Sequence, residues 1–232
     1  MPRRVQAGSG GLTFHVMNRG VRRMCLFEDP HDYSTFVRCV AEGLAKVDVD
    51  LFAFCVMPNH FHLVVRPARD SDLTEFMGLM TMRHSKRWHR RRGSKGGGAV
   101  YQGRFRAFPI ETEQYFYAAC RYVEANALRA QLVPRAEDWP WSSLWQRVKN
   151  CETLPLKDWP ILQPADWTEI VNAVQKNTEI RQLRRSAQSN MPFGDSEWAR
   201  RTAALLGTES GLRKPGPVPG SREKAEKKPG VN

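Results

Sequence analysis

Residues 50–66, DLFAFCVMPNHFHLVVR, decide the fold of this chain. Two apolar runs, Asp50–Val56 and His60–Arg66, stand on either side of Met57-Pro58-Asn59. Proline beside asparagine favours a tight turn, and short apolar runs on both sides of such a turn are typical of paired strands. We therefore predict a hairpin of two antiparallel strands in this segment.

The flanking segments extend the hairpin into a regular alternation of strands and helices. The spacing of their apolar residues predicts, in chain order, a strand Leu12–Asn18, a helix Pro30–Lys46, the hairpin, a helix Leu73–Arg92, a strand Tyr101–Ile110 and a helix Glu111–Ala127. This βαββαβ order predicts an α+β, ferredoxin-like fold, an antiparallel sheet with helices on one face.

The rest of the chain is predicted to be an appendage. The core domain is expected to span residues 1–147, and a helical C-terminal extension residues 148–214, with helices Trp167–Arg184 and Ser196–Leu206. Residues 215–232 are rich in Pro, Gly and Lys, a composition that predicts a disordered basic tail.

Composition excludes several classes of protein. Hydrophobic residues make up 41% and charged residues 26% of the 232 residues, which indicates a soluble globular chain. No run approaches the ~20 apolar residues that span a bilayer, and no secretory signal is apparent. Five scattered cysteines without a CxxC pair argue against a disulfide scaffold or a structural zinc site. We expect a cytoplasmic, nucleoid-associated protein that does not bind membranes.

The charge distribution points to a polyanion. The net charge is +12, and the window Arg83–Arg106 contains nine basic residues and no acidic one. A strong field of one sign attracts nucleic acid, although a solvated helix face with a charged loop would have the same composition. The predicted DNA-binding residues in this window are Arg83, Lys86, Arg87, Arg90, Arg91, Arg92, Lys95, Arg104 and Arg106. Arg19, Arg22 and Arg23, in a separate loop, are predicted to contribute to sequence choice.

The second hairpin strand contains a candidate metal site. His60 and His62 are two residues apart, so both imidazoles lie on one face of the strand while Phe61 points to the other. Two imidazoles on a rigid strand can bind one divalent cation if a third ligand comes from elsewhere. A bare HxH pattern also occurs as two packed or exposed histidines, so the pattern by itself leaves both readings open.

The last predicted helix of the core contains the second candidate group. Tyr122 and Asn126 are four residues apart, which places them on the same helix face. Tyr33, Tyr115 and Tyr117 have no side-chain amide at this spacing. The alternative is that Tyr122 is a core aromatic and Asn126 a helix C-terminal residue.

Taken together, the two groups predict phosphoryl transfer. A tyrosine hydroxyl titrates near pH 10 and attacks phosphorus only if the phosphate is made more electrophilic. A divalent ion held by His60, His62 and Asn126 would polarise the phosphate and stabilise the charge of the transition state. Attack by Tyr122 would exchange one phosphodiester for another, a reversible step that suits strand transfer.

Four segments resemble the HUH single-tyrosine transposases, in particular the REP-associated tyrosine transposases of bacteria. They are Met57–Val65 (MPNHFHLVV), Arg121–Val133 (RYVEANALRAQLV), Leu12–Gly20 (LTFHVMNRG) and Asp138–Leu144 (DWPWSSL), and they occur in the family's order over about residues 8–147. The sequence departs from the family at Phe14, where Tyr is usual, and at Ala127 and Gln131, where Pro and Gly are common.

The resemblance implies a function and a set of site residues. It implies a ferredoxin-like core, a Mg²⁺ or Mn²⁺ ion, and cleavage and rejoining of single-stranded DNA beside hairpins through a 5′-phosphotyrosine intermediate. Carried over by position, His60 and His62 are metal ligands, Tyr122 is the nucleophile and Asn126 is the third ligand. We expect a monomer, with a homodimer as the alternative state. The competing functions are a catalytically silent DNA-binding regulator, an HUH replication-type nickase and a metal-dependent hydrolase.

Overall fold

A computed structural model describes residues 8–209 and contains one antiparallel sheet. The strands are β1 (Thr13–Arg19), β2 (Val49–Met57), β3 (His60–Pro67) and β4 (Arg106–Ile110), in the spatial order β2-β3-β1-β4. The predicted hairpin is confirmed, because β2 pairs with β3 across a turn of only two residues, Pro58 and Asn59. This strand order is the one that a βαββαβ chain forms in a ferredoxin-like sheet.

Eight helices accompany the sheet in the described part of the chain. They are α1 (Pro30–Leu44), α2 (Asp72–Arg91), α3 (Gln114–Glu124), α4 (Asn126–Arg129), α5 (Ser143–Val148), α6 (Trp167–Asn172), α7 (Asn177–Ser189) and α8 (Ser196–Leu205). The start of α1 follows from its sequence. Asp29 accepts hydrogen bonds from the backbone N–H groups of His31 and Asp32, and Pro30 supplies a first turn that needs no donor.

The predicted α+β class is confirmed, and the placement of the helices needs one correction. Helices α1 and α2 cover one face of the sheet, where the Phe36 and Phe61 rings are 4.8 Å apart between centroids. Helix α3 lies on the opposite face with Phe116 and Val123 in a second apolar cluster. The prediction of helices on one face therefore holds for α1 and α2 but not for α3.

The reason for two covered faces lies in β2. Its neighbouring residues Phe54 and Cys55 point to opposite faces, and both are almost fully buried. A bulge between Leu51 and Ala53 turns Phe52 and Ala53 to the same face as Cys55. A strand that is apolar on both sides must be covered on both sides. Helices α1 and α2 cover one side of β2, and α3 covers the other.

Some predicted boundaries were wrong. The strand predicted from Tyr101 begins at Arg106, and Tyr101 forms only an isolated bridge with Gly20. The helix predicted over Trp167–Arg184 is two helices, α6 and α7, with a break between them. The disordered tail predicted for residues 215–232 lies outside the described residues.

The C-terminal extension packs against the core. Phe193 extends the exposed edge of β4, since its N–H donates to the Pro109 carbonyl at 2.8 Å and its carbonyl accepts from Glu111 N–H at 2.9 Å. Trp167 of α6 and Leu183 of α7 are buried in the cluster that contains α3. None of the helices in residues 8–209 is long and apolar enough to cross a membrane.

A buried carboxylate joins α3 to this extension. Glu124, at the end of α3, is fully buried and accepts hydrogen bonds from Arg147, the Ser143 hydroxyl and, at 2.6 Å, the Trp167 indole N–H. A charge without solvent requires such partners, because an unpaired buried ion is very costly. Glu124 is two residues from Tyr122, so this network fixes the helix that carries the candidate nucleophile.

We predict that Glu124→Ala lowers the free energy of unfolding by ~3–5 kcal/mol, because Arg147 then loses its buried partner. Urea denaturation followed by circular dichroism measures the change. Glu169→Ala is the matched control: it breaks the 3.1 Å pair of exposed Glu169 with Arg135 and should cost only ~0–1 kcal/mol. Equal losses for the two variants would contradict a special role for the buried network.

Candidate active site and nucleic-acid interface

The two histidines of the HxH pattern lie on the sheet face that α3 covers. His62 lies opposite Met17 of β1 and Cys55 of β2, and His60 opposite Arg19 and Met57. The imidazole centroids are 5.0 Å apart, and Phe61 between them is buried in the cluster on the other face. The alternation expected from the sequence is thus observed.

Among residues 8–209, hydrogen bonds occupy Nδ1 of His60 and of His62 and leave the Nε2 atoms available. The Asn59 side-chain oxygen is 2.7 Å from Nδ1 of His60, and Nε2 of His15 is 2.8 Å from Nδ1 of His62. A hydrogen bond at Nδ1 fixes the tautomer and the ring orientation, and a donating Nδ1–H leaves Nε2 as a lone-pair donor. His15 lies on β1, and its side chain faces the same way as His62.

Burial keeps these imidazoles neutral. It lowers the pKa of His60 to about 4, with a further contribution from the charge of Arg19, and that of His15 to about 3, with Arg129 as the second cause. The pKa of His62 is also well below its ordinary value, first because of burial and then because of His15. Only a neutral imidazole can bind a metal ion, so the environment suits metal ligation at neutral pH.

Tyr122 reaches the histidines from α3 of the same chain. Its ring centroid is 5.9 Å from that of His62 and 6.1 Å from that of His15. Asn126 was predicted on the same helix, but α3 ends at Glu124 and Asn126 begins α4. Ala125 causes the break, with φ −79° and ψ 6°. Tyr122 and Asn126 nevertheless line one cavity.

We call this space the tyrosine cavity. It has a volume of about 660 Å³, and Tyr122, Asn126 and His60 line it together with Arg19 and Arg106. Basic side chains around an open space beside the phenol make it attractive to a phosphate. The cavity therefore brings a nucleophile, candidate ligands and positive charge together.

Arg129 holds Tyr122 in place and was not singled out by sequence reasoning. Its guanidinium carbon lies 4.1 Å from the centre of the Tyr122 ring, a cation–π distance, and Nη2 donates to the Tyr122 carbonyl at 2.7 Å. The carbonyls at the end of a helix lack intrahelical partners, so the hydrogen bond from Arg129 satisfies one of them. The positive charge of Arg129 also interacts favourably with the helix dipole. Nη1 donates to Gln175 of the extension at 3.3 Å. In the sequence, the only indication of this role is that Arg129 stands seven residues after Tyr122.

Gln131, where the resembled family commonly has Gly, has a φ of +56°. This left-handed conformation favours glycine, so glutamine is a less suitable residue for the turn that follows α4.

The side chains present fit a divalent cation. Residues 8–209 contain no group of three His, Cys, Asp or Glu side chains placed to hold an ion, so a site here needs an amide ligand. Asn126 is 9% exposed, and its Nδ2 has no hydrogen-bond partner within the described structure. Nδ2 cannot ligate a cation, so the ligand would be the amide oxygen Oδ1, which together with the two neutral imidazoles is a suitable donor set for Mg²⁺ or Mn²⁺.

The basic window is free of acids in the sequence but not in space. Helix α1 brings Glu42 against Arg83 and Arg87, at 2.5 and 2.7 Å. Arg91 and Arg92 both pair with Asp32, and the second contact is 2.7 Å. Four of the predicted DNA-binding residues are therefore engaged in ion pairs within the fold, which the sequence window did not indicate.

All but one of the other predicted DNA-binding residues lie at two open surfaces. Arg19, Arg23, Arg104 and Arg106 line the tyrosine cavity, where Arg106 also donates to the carbonyls of Ala187 and Gln188. Lys86, Arg90, Lys95 and Arg104 line a second space, the α2 groove, formed by the outer face of α2 and residues 93–105. Arg22 is exposed and lines neither of them.

A further histidine, His84 of α2, is buried away from the tyrosine cavity. It is 1% exposed, and its Nδ1 is 2.7 Å from the Tyr101 hydroxyl. Burial lowers its pKa to about 4.

The family model for IS200-like transposases matches residues 9–126, more than half of the chain. The chain belongs to this family. The match ends at Asn126 and so includes His60, His62 and Tyr122. A comparison with curated protein sequences found no match.

Among solved structures, this IS200-like transposase resembles a REP-associated tyrosine transposase bound to a REP hairpin. The TM-score is 0.52 at 18% identity, over 76% of this chain and 92% of the other. The likeness confirms the fold, and together with the family match it confirms the resemblance drawn from the motifs.

We predict that the free energy of unfolding of this transposase decreases with falling pH before its carboxylates become protonated. The unfolded chain takes up protons on histidine near pH 6.5, whereas His60 in the folded state resists protonation down to about pH 4. The free energy of unfolding should therefore fall as the pH drops from about 6.5, by up to ~1.4 kcal/mol per pH unit for each buried histidine. Urea denaturation at pH 7, 6 and 5 in EDTA measures the slope.

His15→Gln should make that slope shallower, because one buried imidazole is removed while a polar group remains beside His62. His31→Gln, at an exposed position on α1, is the control and should leave the slope unchanged. A free energy of unfolding that is constant between pH 6.5 and 5 would contradict this reasoning.

Proposed function

We propose that this IS200-like transposase is a metal-dependent enzyme that cleaves and rejoins single-stranded DNA at hairpin elements through a 5′-phosphotyrosine intermediate. One observation carries the proposal: Tyr122, His60 and Asn126 line a single cavity, with His62 next to Tyr122, although they come from distant parts of the chain. A fold that kept only the ability to bind DNA has no physical need for this convergence.

In the proposed reaction the Tyr122 oxygen attacks the phosphorus of one phosphodiester. The new bond joins the phenol oxygen to phosphorus, the bond from phosphorus to the 3′ oxygen breaks, and the phenol proton ends on the free 3′ hydroxyl. One phosphate ester replaces another, so the step is close to isoenergetic and can run backwards to join a new 3′ end. Arg129 is a positioning residue here, since it fixes the ring and the backbone of Tyr122.

His60, His62 and Asn126 would hold Mg²⁺ or Mn²⁺. Such an ion polarises the phosphate and stabilises the charge that develops in the transition state. Asn59 and His15 orient the two imidazoles through their Nδ1 atoms, a supporting shell that usually affects metal affinity strongly.

The arrangement favours a monomer. Tyr122 faces His62 of its own chain, and the Glu124 network holds α3 against the extension that follows it. A helix fixed in this way serves its own site and does not need a second subunit. Monomeric state, cytoplasmic location and association with the nucleoid remain predictions.

Hairpin DNA is the proposed substrate. The solved relative is bound to a REP hairpin, and seven of the predicted DNA-binding residues, none of which forms an ion pair within residues 8–209, line the tyrosine cavity and the α2 groove. Lysine and arginine contacts to phosphate fix the position of the DNA and give salt-dependent affinity.

We predict that Tyr122→Phe abolishes covalent attachment to DNA and leaves DNA affinity within about twofold, because only the attacking oxygen is lost. Labelled single strands with a hairpin are incubated with Mg²⁺ or Mn²⁺, and the protein–DNA adduct is separated by denaturing electrophoresis. Tyr117→Phe is the control, since Tyr117 lies on the same helix outside the cavity and should still form the adduct.

The result separates the competing functions. A regulator binds the hairpin without an adduct, a water-using hydrolase cuts it without one, and an adduct that persists in Tyr122→Phe would refute the assignment of the nucleophile. A nickase would form the adduct on strands without a hairpin equally well.

We predict that the double substitution Lys86→Gln with Arg90→Gln reduces the slope of log K against log salt by ~1.4–1.8, as expected for two lost phosphate contacts. Arg83→Gln with Arg87→Gln removes the same charge from the same helix, but those residues are paired with Glu42 and should leave the slope unchanged. Fluorescence anisotropy over a salt series measures both slopes. Equal slopes for the two double variants would remove the α2 groove from the interface.

A further inference from the structure

One wall of the tyrosine cavity is a helix of the C-terminal extension. Arg184, Ala187 and Gln188 of α7 line the cavity together with Tyr122. Residues three and four apart lie on the same face of a helix, so one face of α7 presents all three residues to the cavity. The segment that matches the IS200-like family ends before this helix begins. The extension therefore forms one side of the cavity, and the family segment forms the other.

Helix α7 is held at the cavity by two kinds of contact. Leu183, next to Arg184 in the chain, is buried in the apolar cluster that contains α3. Nη1 of Arg106, on β4, donates to the carbonyls of Ala187 and Gln188, both at 3.1 Å. These carbonyls belong to the last turn of α7, where they lack intrahelical partners and the helix dipole favours a cation. Arg106, predicted to bind DNA, thus also fixes the position of α7.

The guanidinium of Arg184 is exposed and available. Within residues 8–209 its side chain forms no ion pair and no hydrogen bond. Its charge acts on Arg129, whose pKa is lowered first by burial and further by Arg184. Arg129 in turn lies over the Tyr122 ring. Arg184 therefore contributes to the electrostatic field around the candidate nucleophile.

The tyrosine cavity has an excess of positive charge. In the described part of the chain no aspartate or glutamate lines it, whereas five arginines do: Arg19, Arg23, Arg104, Arg106 and Arg184. None of the five forms an ion pair with another residue of the range 8–209. Like charges around one space repel each other, and an anion in that space relieves the repulsion. In the proposed function this anion is the phosphate that Tyr122 attacks.

An arginine is well suited to bind such a phosphate. The planar guanidinium can donate two parallel hydrogen bonds to two oxygens of one phosphate. When the Tyr122 oxygen attacks, negative charge develops on the oxygens around phosphorus, and donors aimed at them stabilise the transition state. Arg184 would remain protonated throughout, since it donates hydrogen bonds and transfers no proton.

We propose that Arg184 is a further catalytic residue that binds the non-bridging oxygens of the scissile phosphate, and that Arg106 is the positioning residue that holds its helix. This proposal deepens the proposed function and rests on it for the identity of the phosphate. The active site of this chain is then completed by the extension, outside the segment that matches the family.

The substitution Arg184→Gln tests this role, with Arg185→Gln as the matched control. Both residues are exposed neighbours on α7 and both variants lose one positive charge, but Arg185 does not line the cavity. At saturating hairpin DNA, Arg184→Gln should form the Tyr122 adduct ~100-fold more slowly than the wild type. Its Tm should be unchanged, because the side chain has no protein partner to lose. Arg185→Gln should react at the wild-type rate, and Arg184→Lys should recover only part of the loss, since it restores the charge without the planar fork.

A strand with a methylphosphonate at the cleaved position identifies the group that Arg184 contacts. A methyl group replaces one non-bridging oxygen there and removes the negative charge. On this strand Arg184→Gln should cause little further loss of rate, because the two changes remove the same interaction. An equal loss of rate on the normal and the modified strand would contradict a contact with the scissile phosphate.

The outcomes separate this proposal from the proposed function. If the wild type forms the adduct and Arg184→Gln forms it equally fast, or if Arg185→Gln slows it as much, only the role of Arg184 is overturned. If Arg184→Gln weakens DNA binding and reduces its salt dependence without slowing the reaction at saturation, Arg184 binds another phosphate and the proposal is wrong. If the wild type forms no adduct, the proposed function is overturned and the role of Arg184 with it.

Discussion

The central hairpin is buried on both faces, and the position of every candidate catalytic group depends on this constraint. Phe61 and Phe54 require cover from α1 and α2 on one side, whereas Cys55 and Val64 require it on the other. The second cover is α3, which carries Tyr122. The packing that removes apolar surface from water therefore also presses the tyrosine helix onto the face that carries His60 and His62. In this protein the burial that forms the second apolar cluster also brings Tyr122 to the histidines of the candidate site.

The position of α3 is then fixed by polar contacts that apolar packing alone does not specify. Glu124 ties the end of the helix to Ser143, Arg147 and Trp167, and Arg129 ties Tyr122 to Gln175. Both sets involve residues of the C-terminal extension, beyond the segment that matches the IS200-like family. A reaction that aligns an attacking oxygen with phosphorus loses rate steeply when the groups shift by about 1 Å. The extension consequently contributes to the site although it provides none of the proposed metal ligands.

Charge shows how far local reading of a sequence can mislead. The window Arg83–Arg106 contains no acid, but helix α1 packs beside α2 and supplies Glu42 and Asp32 from about 40–60 residues away. The helix period separates the arginines that meet those acids from Lys86 and Arg90, which face the groove. Net charge predicted a polyanionic partner, whereas only the packing of the two helices indicates which cations are free to meet it.

The sequence by itself determined the class of fold, the hairpin, the shared face of His60 and His62, and Tyr122 and Asn126 as a candidate pair, because these follow from local periodicity and turn chemistry. Tertiary structure alone decided the rest. It placed α3 on the second face, paired His15 with His62, set Arg129 over Tyr122 and buried Glu124 and His84. Each of these contacts depends on strand register, on a helix break or on the packing of elements that are distant in the chain. A local sequence pattern contains no information about the distance between such residues in space.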